Sequence, residues 1–133
     1  MGEQDTHGSR SRSRALLSAF WISAGVNHFV NPRAYEAIVP PSLADRKGPV
    51  VRVSGVAEVL GGVGVLLPVT RRAAGAALIV LLAAIFPANL YMAREPERFT
   101  LPGSGRPIPR WALFARLPLQ PLMMWWAWRA TRR

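Results

Sequence analysis

Cysteine is absent from the 133 residues. This excludes disulfides, thiol nucleophiles, thiolate metal sites and iron–sulfur clusters held by this chain alone, and with them the dithiol relay of four-helix quinone-linked thiol oxidases. Histidine is scarce. Of the two present, His7 lies in a polar stretch, so neither a bis-histidine haem nor a metal site within one chain is expected. Acids are scarce too: 7 against 17 basic residues, for a net charge of +10, with Lys47 the single lysine. A nucleic-acid-binding domain would be as basic, but would have to bury the long apolar blocks that make half of this chain hydrophobic. Here the blocks and the charges separate along the sequence, with arginines at the ends of apolar runs. That is the pattern of a membrane protein, so the expected partner is a lipid bilayer and not nucleic acid. The length suits one domain.

The chain is organised around Val50–Leu67, VVRVSGVAEVLGGVGVLL, an apolar run carrying one carboxylate, Glu58. A lone acid there is costly to bury unless it is paired, hydrated or protonated. On a helix its neighbours at three and four residues are Ser54, Gly55, Gly61 and Gly62. Small residues let another backbone approach, so this is expected to be a helix-packing face with Glu58 turned inward. The glycines are not a phosphate loop, since neither a strand nor a lysine accompanies them.

Residues 1–14 are polar and rich in Gly and Ser, and are expected to form a disordered basic tail. A first, uncleaved helix is expected over about 15–30, although polar residues followed by an apolar stretch also suit a signal sequence. A connector follows, in which Pro32 opens a short interfacial helical turn and Pro40-Pro41 ends it. Further helices are expected at about 50–67, 73–92 (with a kink at Pro87) and 117–129, then a basic tail at 130–133. Trp111–Ala115 either lies along the surface or belongs to a longer, kinked span. The first is preferred, because Pro118 suits a first helical turn. Trp125, Trp126 and Trp128 read as an aromatic belt, with arginines behind it as anchor. The expected fold is therefore all-α, a transmembrane four-helix bundle in a bacterial cytoplasmic (inner) membrane. The short basic turn at Arg71-Arg72 and the basic ends put both termini in the cytoplasm.

Alternating helix direction brings Asn27, His28, Arg52, Asn89, Arg116 and Gln120 to one membrane face, beside the connector with Tyr35. Glu58 lies deeper, six residues on from Arg52, or roughly 9 Å along a helix. The residues therefore outline a polar pocket with an acid at its floor, and intramembrane ionisable groups mark sites by default. The competing structural interpretation is a buried polar network that fixes helix register, with Arg52 and Arg116 as anchors.

The same residues carry a resemblance. Gly25-Val26-Asn27-His28-Phe29, Asn31-Pro32, Tyr35 and Ile38-Val39-Pro40-Pro41 come first. Ser54-Gly55, Glu58, Gly61-Gly62, Pro87-Ala88-Asn89 and Arg116–Gln120 follow in order. Together they resemble the DoxX-like family of small bacterial integral membrane proteins. The resemblance implies a four-helix transmembrane bundle and an association with redox complexes. It supplies no agreed catalytic residue, and no cofactor is firmly implied. Three functions stay open. The chain could be a membrane subunit docking a soluble oxidoreductase and holding a quinone-like lipophile. It could be a small proton-coupled transporter, which would need a second copy of the chain. It could also be a structural protein without ligand.

Overall fold

The structure is a computed structural model, and it describes residues 2–101 and 104–132. Among these it is helical, with no strand: α1 (Gly2–Val30), α2 (Pro32–Glu36), α3 (Lys47–Leu66), α4 (Arg71–Arg94) and α5 (Arg110–Thr131). Single 3-10 segments at Pro41–Arg46 and Pro96–Arg98 connect them. Sequence explains the boundaries. Pro32 occupies the first turn of α2, where its missing N–H costs nothing. α3 stops at Leu67, whose backbone is extended, ahead of Pro68. Thr70 Oγ1 then donates to the carbonyl of Gly64 (2.9 Å), and Arg71 Nε to that of Val65 (3.1 Å). The first residue of α4 thus places its cation on the free carbonyls that end α3, the favourable pole of that helix dipole.

Three expectations need correction. Residues 2–14 are not a loose tail but the first turns of α1. Their Arg, Glu and Gln residues are good helix formers, and Ser13 Oγ accepts a hydrogen bond from Trp126 Nε1 at 2.7 Å. The last long helix begins at Arg110 and not near residue 117, so Trp111–Ala115 is no separate surface segment. Both Pro118 and Pro121 lie inside it, on its exposed side. Nor is residue 130 onward a tail: Ala130 and Thr131 are helical and buried, and Thr131 Oγ1 donates back to the Ala127 carbonyl. α4 continues through Pro87.

α1 packs most closely on α3, α4 on α5, and α3 on α4, while α1 and α5 touch little. Glycines make the first contact close. A methyl group at Gly25 would stand 2.6 Å from the Gly55 carbonyl oxygen, and one at Gly62 would stand 2.8 Å from Ile22 of α1. Gly61 faces the other way, onto Leu78 of α4. The small-residue face of α3 therefore serves two partners. Buried apolar side chains form two clusters. Leu17, Trp21, Val65, Leu78, Leu82, Ala127 and Ala130 make one, and Met92, Phe99 and Leu113 the other. The outer faces are apolar as well, with Leu16, Val53, Leu60, Val80, Leu119 and Leu122 all at least half exposed. Two helical stretches, Pro41–Leu66 and Arg71–Arg94, are long and apolar enough to cross a membrane.

Candidate functional site

Between the two apolar clusters lies a cavity of about 560 Å³, which shares Trp21 and Leu82 with the first and reaches Ile38 beside the second. That volume is in the range of small-molecule sites. Its walls are largely apolar, including Phe20, Val51, Leu81, Ile85, Leu119 and Met123. Into them are set the side chains of Trp21, His28, Tyr35, Ser54, Glu58, Asn89, Arg116 and Gln120.

Two hydrogen-bond chains fix the polar wall. In the first, Asn27 Nδ2 donates to the Tyr35 hydroxyl (2.8 Å), and Asn31 Nδ2 donates to Asn27 Oδ1 (2.7 Å). This ties α2 to the end of α1 and lays the Tyr35 ring over His28, with centroids 3.7 Å apart. His28 Nδ1 sits 2.8 Å from the Ala24 carbonyl. A carbonyl only accepts, so Nδ1 carries the hydrogen and directs it there. Glu58 Oε2 is 3.3 Å from the same nitrogen but receives no hydrogen bond. It is buried, at 3% exposure for the residue.

The second chain runs between α4 and α5. Gln120 Nε2 donates to the Leu82 carbonyl, in the turn before Pro87, and Asn89 Nδ2 donates to Gln120 Oε1 at 3.1 Å. The orientation of both amides is forced. The Leu82 carbonyl must face a donor, so Gln120 turns its oxygen to Asn89, and Asn89 must offer its NH₂. Asn89 Oδ1 is then left without a partner, as is the indole N–H of Trp21; both atoms are fully buried. Buried polar atoms in folded proteins are almost always paired. Three unpartnered ones on residues lining one cavity therefore single it out.

Of the residues expected at the site, His28, Tyr35, Glu58, Asn89, Arg116 and Gln120 line the cavity. Asn27 does not; it is exposed and positions Tyr35. Arg52 is exposed on α3 and does not line the cavity either. Ser54, expected to serve only packing, also faces the cavity, one turn before Glu58. Gly55, Gly61 and Gly62 do pack helices, as expected. Trp21 is the residue the sequence reading missed. The signal was available, since Trp21 precedes His28 by two helical turns and so shares its face. Arg116 is exposed at the cavity edge and makes no ion pair among the described residues. No group of three or more His, Asp or Glu that could hold a metal ion occurs among those residues.

Residues 17–131 match the family described as Domain of unknown function (DUF8561), and the chain belongs to that family. No curated protein and no solved structure matches it.

Proposed function

We propose that this chain is an integral membrane protein of DoxX-like type, a transmembrane four-helix bundle whose cavity binds a lipophilic small molecule with a polar head. In this reading it serves as a membrane subunit or accessory of a redox complex, and a quinone-like lipophile is the class of ligand considered. The bundle is built of α1, α3, α4 and α5. α3 and α4 have 20 and 24 residues, or roughly 30 and 36 Å at the helical rise, enough for a hydrocarbon core of about 30 Å. Apolar outer faces on all four long helices favour lipid as their surroundings. α2 then lies at the interface, and both termini lie in the cytoplasm.

One observation carries the ligand. A largely apolar cavity of about 560 Å³ is lined by three residues, Trp21, Glu58 and Asn89, that each carry a buried polar atom without a hydrogen bond. A purely structural polar network would satisfy its own members, whereas the Asn89–Gln120 link leaves Asn89 Oδ1 without a partner. Native mass spectrometry of the protein released from its own membranes in mild detergent is the test. A retained lipophile, lost in Glu58→Gln, is the expected result, and a co-released soluble oxidoreductase supports the redox-subunit role. Bare protein in every preparation would overturn the binding reading.

A further inference from the structure

The cavity's unpartnered atoms specify more than polarity. Trp21 Nε1–H can only donate, and Asn89 Oδ1, with its amide orientation forced through Gln120 and the Leu82 carbonyl, can only accept. Glu58 Oε2 meets a hydroxyl in either protonation state, accepting from it when ionised and donating to it when protonated. Asn89 Oδ1 thus discriminates whatever the protonation of Glu58, and an ionised Glu58 discriminates in the same sense. Asn89 is 7% exposed and Trp21 is 3% exposed, so water at the surface cannot serve either. A ligand whose head has only acceptors, such as a ketone or a quinone, would satisfy Trp21 and leave Asn89 Oδ1 facing a second lone pair. A ligand bearing O–H satisfies both kinds of atom.

Resting on the binding reading above, we propose that the cavity selects a hydroxyl-bearing lipophile over the carbonyl compound of the same skeleton. Applied to a quinone couple, the same atoms favour the hydroquinone, the dihydroxy form, over the quinone. Sites built to hydrogen-bond a hydroxyl reject the analogue lacking it strongly, because a buried partner is left unpaired.

Menthol and menthone share one carbon skeleton and differ by alcohol against ketone, so they isolate the effect. Equilibrium dialysis would use the full chain in lipid nanodiscs, with empty nanodiscs measuring partition into lipid. Menthol should bind at least about tenfold more tightly than menthone, or about 1.4 kcal/mol. Trp21→Phe keeps an aromatic side chain but removes the indole donor, and should weaken both probes by a similar factor, since both offer an oxygen acceptor. Asn89→Leu should weaken menthol alone and narrow the gap between the two, and Asn89→Leu with Glu58→Gln should bring them together. Should those variants not fold, the ratio in the unmodified protein and the Trp21→Phe pattern still decide. Equal binding of both probes would overturn the hydroxyl preference and leave the binding reading standing. Binding of neither would overturn both.

Discussion

Gly25→Ala tests the close crossing of α1 and α3. The added methyl would stand 2.6 Å from the Gly55 carbonyl oxygen, 2.7 Å from Val59 Cγ2 and 2.9 Å from the Val59 nitrogen. Two of the three are backbone atoms of a buried helix, so no side-chain rotation relieves them. Ordinary contact begins at 3.4 Å, so the helices must separate by about 0.8 Å, an overpacking that costs roughly 1–3 kcal/mol. Replacing glycine by alanine inside a helix returns about 1 kcal/mol, which leaves a net loss of about 0–2 kcal/mol. Gly61→Ala meets Leu78 Cδ2 at 2.5 Å and Cγ at 2.8 Å, in a buried core side chain with little room to turn, and Gly8→Ala meets nothing within 4 Å. The expected order of stability is therefore Gly8→Ala at or above the unmodified protein, Gly61→Ala below Gly8→Ala, and Gly25→Ala lowest, because backbone atoms block its methyl group. Unfolding in detergent micelles by added SDS, followed by tryptophan fluorescence, measures this order. His28 packs against Gly55 three residues beyond Gly25, so the same variant should also lose ligand affinity. A Gly25→Ala protein as stable as the unmodified one, with Gly61→Ala the more damaged, would refute the crossing.

Gln120→Leu should destabilise by about 1–3 kcal/mol in the same assay, since the Asn89 amide and the Leu82 carbonyl each lose a buried hydrogen bond. Ser13→Ala should cost about 1 kcal/mol and Trp126→Phe more, since its ring also packs on the core, and the double variant should cost no more than Trp126→Phe alone, because the hydrogen bond is shared. Additive losses would mean that the start of α1 does not dock on α5. Lack of native cysteine makes topology simple to read. Val69→Cys, in the exposed turn between α3 and α4, and Ser104→Cys, between α4 and α5, should react with a membrane-impermeant maleimide from opposite sides of sealed vesicles. Labelling from the same side would refute the proposed spans.

Glu58 was legible because an acid within an apolar run must be accommodated, and its small neighbours fixed which way the helix could turn. Gly55, Gly61 and Gly62 followed from size alone. Size misled at Ser54, which lines the cavity although its volume suits a packing surface. Proline misled in α5. Local propensity puts Pro118 in a first turn, but the helix runs through both prolines because tertiary packing holds it: Leu113 before them and Ala127 after them are both buried. The first fourteen residues carry no apolar period, so composition suggested disorder. What docks the end of this stretch is Trp126, which donates to Ser13 from 113 positions away, a contact no local pattern reveals. The forced amides of Asn89 and Gln120 were equally hidden, since the carbonyl that orients them belongs to the backbone.

The scant contact between α1 and α5 has a consequence for how anything reaches the cavity. The two helices are fastened at one end, where Ser13 meets Trp126 and Leu17 and Trp21 cluster with Ala127 and Ala130. Towards the other end Ala24 and His28 of one helix and Arg116 and Gln120 of the other border the open volume. Embedded as proposed, such a seam is a side door. A solute already dissolved among the acyl chains could slip in sideways at its high local concentration there, without first passing through water. Uptake would then follow the solute's partition coefficient more closely than its solubility.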